Sequence, residues 1–176
     1  MAKERSQQKL QLDADGLERY ALWYLERYPG STARVRRALT RRAKRDVEDE
    51  AAVSELVGAV VDRLRKLRFL DDERFALGRV RSLRQRGKSQ RAIRAELRRQ
   101  GIDPGVVDRM IDQAIAEQGG DELEAARRLA RRKRLGPHRS PEERAARRER
   151  DLAVLGRAGF DYETARRALD EAFEED

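Results

Sequence analysis

The sequence contains no cysteine and only one histidine among its 176 residues. A chain without cysteine has no disulfide framework and no thiolate metal site, which is compatible with a reducing compartment. His138 has neither a cysteine nor a second histidine as a companion, so the residue patterns of a zinc site and of a histidine-based catalytic triad are both missing. We interpret His138 as a loop residue.

Long apolar runs and aromatic residues are also scarce. No stretch of about 18 uncharged apolar residues occurs, and the amino terminus lacks the apolar run of a secretory signal. Aromatic residues make up 5% of the chain, and much of its apolar content is alanine. We therefore expect a cytoplasmic protein that does not associate with membranes and that has several thin cores instead of one large core.

The residue patterns that carry catalysis are missing as well. Gly119-Gly120 lacks the lysine and hydroxyl neighbours of a phosphate-binding loop. Asp71 and Asp72 are adjacent carboxylates, but they stand at a predicted helix start, where carboxylates cap backbone N–H groups. Neighbours in sequence also do not share a helical face. The sequence therefore predicts no catalytic residue, no cofactor and no metal, and we expect the protein not to be an enzyme.

Charged residues, in contrast, make up 42% of the chain, and the net charge is +8. A basic protein of this kind is attracted to a polyanion such as nucleic acid, or to an acidic protein surface. Helix formers (Ala, Leu, Arg, Glu and Gln) dominate the composition, and strand-length runs of β-branched or aromatic residues are missing. The sequence therefore predicts an all-α fold.

Landmarks of several kinds recur at an interval of 58 residues. Predicted helix caps, inward apolar positions and glycine stops share this interval: Ser31 and Ser89, Leu39, Leu97 and Leu155, Gly101 and Gly159, Asp103 and Asp161. The interval predicts three tandem three-helix repeats that stack into an elongated, curved, solenoid-like body. We place a flexible arm at residues 1–15 and the three repeats at residues 16–70, 71–118 and 119–176.

The single tryptophan lies in the first predicted helix. Trp23 is accompanied there by Tyr20, Tyr24 and Tyr28 at helical spacing. Exposed aromatic rings of this kind can stack on nucleobases, but the helical clustering of the four rings favours packing in a core. We therefore expect these residues to be structural.

Three groups of basic residues are candidates for phosphate or partner binding. The first lies in the middle repeat and has few acidic neighbours: Arg84, Arg86, Lys88, Arg91, Arg94, Arg98 and Arg99. The second lies beside the Gly136-Pro137 loop: Arg131, Arg132, Lys133, Arg134 and Arg139. The third runs from Arg34 to Arg45 in the first repeat. The alternative for each group is a solvated helix face without a binding role.

The order of several motifs resembles a known family. A Phe69-Leu70-Asp71-Asp72 corner leads into Arg74-Phe75-Ala76, and a basic helix then ends in Leu97-Arg98-Arg99-Gln100-Gly101-Ile102. A second stop, Arg157-Ala158-Gly159-Phe160, closes the pattern. Over residues 16–174 the chain resembles the RecX family, bacterial regulators of the RecA recombinase.

The resemblance implies a function as well as a fold. It implies three tandem three-helix repeats without catalytic activity, acting in recombination, DNA repair and the SOS response. The partner would be the RecA filament on DNA, bound along its helical groove so that filament growth, ATP hydrolysis and strand exchange are hindered. We expect the protein to act as a monomer. Two other functions stay open, a helix-turn-helix regulator that binds duplex DNA without a recombinase and a helical scaffold for protein partners.

Overall fold

A computed structural model describes residues 13–170 of the chain. Within this range every regular element is helical and no strand occurs, which confirms the predicted all-α fold. The α-helices of the described range are α1 Ala14–Arg27, α2 Thr32–Ala43, α3 Glu50–Lys66, α4 Asp72–Gln85, α5 Gln90–Arg99, α6 Pro104–Gln118, α7 Glu122–Lys133, α8 Pro141–Arg157 and α9 Tyr162–Asp170. A short 3-10 helix, Gly136–His138, stands between α7 and α8 and contains the histidine that we placed in a loop.

The described helices form two compact units. The first comprises the residues up to Phe75 together with Gln100–Ile102, and the second comprises Ala76–Arg99 together with the residues from Asp103 onwards. The first unit therefore contains α1 to α3 and the start of α4, and the second contains the rest of α4 and α5 to α9. The division of the chain into three repeats stays a prediction.

The first unit is built around a single apolar cluster. Its buried side chains come mainly from α1, α2 and α3: Leu17, Ala21, Val35, Leu39, Ala43, Val53, Val57, Val60, Val61, Leu64 and Leu70. Burying one leucine or valine side chain contributes roughly 1.5–3 kcal/mol. Asp13 caps α1 by accepting a hydrogen bond from the backbone N–H of Gly16 at 2.7 Å. The first helix therefore begins inside the range predicted as an arm, and residues 1–12 of that arm lie outside the described residues.

The corner between α3 and α4 uses its two adjacent carboxylates as caps. Asp71 Oδ1 accepts from the backbone N–H of Arg74 at 3.0 Å and so caps α4. Asp72 Oδ1 accepts from the backbone N–H of Thr32 at 2.7 Å, at the start of α2. Both carboxylates therefore satisfy N–H groups that a helix leaves unpaired at its beginning. Asp71 caps its own helix as predicted, whereas Asp72 serves the start of α2, a contact that the sequence does not predict.

Five large apolar side chains are exposed although their spacing predicts that they face a core or, for Phe69, cover the corner after α3: Leu67, Phe69, Trp23, Tyr28 and Tyr162. Trp23 is 54% exposed, whereas Tyr20 and Tyr24 are partly buried and pack against the core of the first unit. The helical period places Tyr20 and Tyr24 toward the core and Trp23 at its edge. The ring centroids of Tyr20 and Trp23 are 5.7 Å apart. The prediction that Trp23 and Tyr28 are core residues is wrong.

The second unit contains an apolar cluster formed by α7, α8 and α9. Its buried side chains are Leu123, Ala125, Ala126, Leu129, Ala130, Leu135, Leu152, Leu155, Phe160, Ala165, Ala168 and Leu169. The loop after α7 is held by Asp151, a buried carboxylate of α8 that accepts hydrogen bonds from Gly136 N at 2.9 Å and from Arg139 Nε at 2.8 Å. A buried carboxylate is tolerated here because it is paired and hydrogen-bonded.

The repeated landmarks adopt the predicted local structures. Leu39, Leu97 and Leu155 are all fully buried. Gly101 and Gly159 have φ angles of +81° and +96°, which belong to the left-handed region that favours glycine at a helix end. The sequence Ser140-Pro141-Glu142-Glu143 predicts a capping box at the start of α8, but the Ser140 side chain accepts no capping hydrogen bond from the backbone there. The apolar spacing of the last helix predicts that Phe173 also faces inward, but Phe173 lies outside the described residues.

Candidate functional site

Positive charge is concentrated in the second unit. Within residues 13–170 the first unit carries 14 Lys and Arg residues against 13 Asp and Glu residues, and the second carries 24 against 15. The net charges of the described parts are therefore +1 and +9. A charge of this size raises the local concentration of polyanions around the second unit.

The second unit contains a cleft of about 270 Å³ that we call the basic cleft. Its lining side chains are Lys88, Leu129, Arg132, Lys133, Val154, Arg157 and Ala158. The four cationic side chains are exposed, while Leu129 is buried and Val154 and Ala158 are partly buried. The cleft therefore has a cationic rim over an apolar floor, and no acidic side chain lines it.

Gly87 brings Lys88 to the rim of the basic cleft. It ends α4 with a φ of +67°, and the N–H of Lys88 donates to the carbonyl of Leu83 at 3.0 Å, which is the 6→1 bond of a Schellman stop. A Cβ at this position would lie 2.8 Å from the backbone N of Leu129 and 2.9 Å from the carbonyl O of Ala125. Only glycine therefore allows this backbone to approach α7 so closely.

Ser89 holds the other side of the same loop. Its Oγ donates to the carbonyl of Ala158 at 2.7 Å and accepts from the backbone N–H of Ala92 at 3.1 Å, which caps α5. Gly159, directly after Ala158, leaves room for this hydroxyl, because a Cβ there would lie 2.4 Å from Ser89 Oγ. The loop that carries Lys88 is thus fixed against α7 and the end of α8, and Lys88 and Arg157 both line the basic cleft.

Most of the predicted basic surface of the middle repeat is exposed. Arg86, Lys88, Arg91, Arg98 and Arg99 are exposed and have no ion-pair partner within residues 13–170. Arg94 differs, because its Nε lies 2.7 Å from Asp108 Oδ1 in an ion pair between α5 and α6. Arg94 therefore contributes less free positive charge than its position on the helix suggests.

Arg84 does not belong to an exposed surface, which corrects the prediction for this residue. It is 3% exposed, and its guanidinium donates to the carbonyl oxygens of Gly119 and Gly120. Burial, assisted by the nearby charge of Arg128, lowers the pKa of Arg84. The side chain satisfies carbonyls at the end of α6, which is an internal structural role.

The second predicted basic group lies at the end of α7 and in the residue that follows it. Arg131, Arg132, Lys133 and Arg134 are exposed, and Arg132 and Lys133 reach the basic cleft. Arg139 does not belong to this exposed group, because it forms a bidentate ion pair with Asp151 through hydrogen bonds of 2.8 and 2.9 Å. Arg139 thus stabilises the loop after α7 and adds little positive charge to the exposed surface.

Arg157 is the cleft residue that was not predicted as a site. The 58-residue interval places Arg157 at the position that Arg99 holds one interval earlier, so the repeat itself contained a signal for it. What the sequence does not contain is the tertiary contact that brings Lys88, Arg132, Lys133 and Arg157 around one cleft.

Residues 13–170 hold no group of His, Asp or Glu side chains placed to bind a metal ion. None of the helices in the same range has the length and apolar character that crossing a bilayer requires.

Comparison with known proteins identifies the family. Residues 71–118 match the family model described as RecX, second three-helix domain. The chain is 38% identical over 159 residues to regulatory protein RecX of Myxococcus xanthus, covering 88% of this chain and 84% of the relative. It is 37% identical over 141 residues to regulatory protein RecX of Mycolicibacterium vanbaalenii, covering 73% and 74%.

A solved structure supports the fold independently. The match is to a crystal structure of regulatory protein RecX, with a TM-score of 0.61 and 23% identity, covering 90% of this chain and 74% of the other. The helical architecture of the described residues is therefore that of a known protein. From the extent and identity of the sequence matches, the chain belongs to the RecX family of regulatory proteins.

Proposed function

We propose that the protein binds the RecA filament on DNA and restrains filament growth, ATP hydrolysis and strand exchange. Membership of a family of regulatory proteins named RecX supports this function. A regulator of this kind acts by binding one state of the filament better than another, so it needs no catalytic residue of its own. In this proposal the protein is a cytoplasmic, non-enzymatic monomer.

The observation that carries the proposal is the concentration of exposed cations in the second unit. Contacts with phosphates or with acidic protein groups along a filament are individually weak, but several contacts made by one molecule act together through effective concentration. A polymeric partner is therefore favoured over a single subunit. The three predicted repeats, residues 16–70, 71–118 and 119–176, would each meet a similar part of the polymer.

The residues proposed to contact the filament are the exposed cations of both predicted groups. They are Arg86, Lys88, Arg91, Arg98, Arg99, Arg131, Arg132, Lys133 and Arg134. Arg94 lies on the same helix but is engaged by Asp108, and Arg84 is excluded by its burial.

The proposed function is tested by recombinase assays with substoichiometric amounts of the protein. We expect the ATPase and strand-exchange activities of the host recombinase to fall, and the Arg91→Glu and Arg98→Glu double variant to need a higher concentration for the same effect. Both side chains are exposed, so circular dichroism should show an unchanged helical signal. Full recombinase activity in the presence of an equimolar amount of the wild-type protein would refute the proposal.

A measurement of binding to two DNA substrates distinguishes the helix-turn-helix alternative. A regulator of that class binds duplex DNA selectively without a protein partner. The proposed function instead requires tighter binding to recombinase-coated single strands than to bare duplex DNA. Equal or tighter binding to the bare duplex would favour the alternative.

A further inference from the structure

We propose that the basic cleft is a binding site for the phosphodiester backbone of a single-stranded nucleic acid. This inference rests on the proposed function for its biological context, but it requires no recombinase. It concerns Lys88, Arg132, Lys133 and Arg157, which line one cleft in the second unit.

The rim of the basic cleft has the charge that a phosphodiester requires. Four cations from three separate chain segments lie around a space of about 270 Å³, and none of them has an ion-pair partner within the described residues. Like charges around one cleft repel one another, and an anion bound in the cleft reduces that repulsion. The two arginines add planar guanidinium groups, which bind phosphate oxygens in a bidentate manner.

The floor of the cleft favours a nucleic-acid backbone over an acidic protein segment. Leu129, Val154 and Ala158 offer apolar side-chain surface, and none of the seven lining side chains is a hydrogen-bond acceptor. A peptide would bring backbone N–H donors into a lining that has no side-chain acceptor for them, and an unpaired buried donor is costly. The deoxyribose-phosphate backbone carries oxygen acceptors and C–H groups, so it fits both the rim and the floor.

The shape of the site favours a single strand over a duplex. Side chains read duplex DNA by entering its grooves from a convex element such as a helix. The basic cleft is concave, and its volume corresponds to roughly nine water molecules. A space of this size receives one sugar-phosphate unit of a strand and excludes a double helix.

The inference is tested by fluorescence anisotropy with the full-length protein and a labelled oligothymidylate. Arg132→Gln with Arg157→Gln removes two cations from the rim, and Arg109→Gln with Arg167→Gln removes two exposed arginines of the same unit that do not line the cleft. We expect the cleft variant to raise the Kd about tenfold or more, because it loses two charge-assisted contacts. The control variant should change the Kd by less than about threefold, through the general loss of charge.

Salt dependence provides a second measurement. Each phosphate contact contributes about −0.7 to the slope of log K against log salt for a single strand, so the cleft variant should have a slope shallower by about 1.4. Equal losses of affinity in the cleft and control variants would overturn the inference. So would displacement of the oligothymidylate by poly-glutamate at equal charge concentration, since that result identifies the ligand class as acidic protein.

The outcome is independent of the recombinase assay. If the wild-type protein restrains the recombinase while the cleft variant binds oligothymidylate normally, the inference about the cleft is wrong and the proposed function stands. If the cleft variant loses oligothymidylate affinity while the wild-type protein leaves the recombinase unaffected, the cleft is a nucleic-acid site and the proposed function is wrong.

Discussion

The hydroxyl of Ser89 donates a hydrogen bond of 2.7 Å to the carbonyl oxygen of Ala158, a residue 69 positions further along the chain. The first unit contains the same bond, in which Ser31 Oγ donates to the carbonyl of Gln100 at 2.5 Å, again across 69 positions. The two pairs are related by the 58-residue interval. One serine in each pair thus caps a helix and also ties that helix start to a distant helix end.

Replacement of Ser89 by alanine should destabilise the second unit. The variant leaves the N–H of Ala92 and the carbonyl of Ala158 without their hydroxyl partner in a buried setting, and we expect a loss of about 2 kcal/mol in the free energy of unfolding. Urea denaturation followed by circular dichroism measures this free energy for the wild type and the variant. Ser140→Ala is the matched control, because Ser140 stands at a helix start without a side-chain cap, and it should change stability by less than about 0.5 kcal/mol.

Replacement of Gly87 by alanine should destabilise the protein by at least about 1–3 kcal/mol. The added methyl group is strained by the positive φ and would also collide with backbone atoms of α7, which are unable to rotate away as a side chain does. Gly78→Ala in the same helix is the control. Nothing lies within 4 Å of a Cβ at Gly78, so that change should stabilise the helix by about 0.5–1 kcal/mol. Thermal denaturation should show a lower melting temperature for Gly87→Ala and a higher one for Gly78→Ala. Equal shifts of the melting temperature in the two variants would contradict these expectations.

The helix caps and stops could be predicted from the sequence because their chemistry is local. Ser31, Ser89, Asp103 and Asp161 each accept a hydrogen bond from an N–H group two or three residues ahead, so a short window contains the whole interaction. The failure at Ser140 shows the limit of such windows. A capping sequence therefore permits a cap but does not ensure that it forms.

Whether an individual arginine is buried or exposed could not be predicted in the same way. Arg84 and Arg86 lie two residues apart in one basic segment, yet the first is buried against the carbonyls of Gly119 and Gly120 and the second is exposed. Composition and spacing do not predict this difference, because the burial of Arg84 depends on the end of α6, which lies 35 residues further along the chain. The basic cleft could not be predicted either, because its rim combines residues that are distant in sequence: Lys88 after α4, Arg132 and Lys133 of α7, and Arg157 of α8.

Replacement of Asp151 by asparagine should be among the most destabilising single changes in the second unit. The carboxylate is 1% exposed and pairs with Arg139, whose side chain is 18% exposed, so the variant leaves a largely buried guanidinium without its anion. Breaking this partly buried pair should cost clearly more than breaking an exposed one. Glu163→Gln, which breaks the exposed pair with Arg166, is the control and should change the free energy of unfolding far less.

The difference between wild type and Asp151→Asn should also depend on pH. Burial by itself raises the pKa of the Asp151 carboxyl, but the hydrogen bonds from Arg139 and from the backbone N–H of Gly136 outweigh it, so the pKa lies below its ordinary value of 3.8. The stabilisation is therefore complete above about pH 4 and is lost as the pH falls through the lowered pKa. Denaturation curves from pH 7 to pH 2 should converge for the two proteins at the acid end. A constant difference over the whole range would contradict this assignment.

Replacement of Arg68 by glycine should stabilise the first unit by about 0.5–1 kcal/mol. Arg68 ends α3 with a φ of +61°, a left-handed conformation that is strained for a residue with a Cβ and that glycine adopts freely. The change also removes the ion pair of Arg68 with Asp71, but that arginine is 82% exposed, so the pair contributes little. Arg65→Gly, three residues earlier inside α3, is the matched control and should destabilise the helix by about 1 kcal/mol. Because the same substitution is made twice within one turn, a loss of stability at both positions would show that the backbone at Arg68 is not strained.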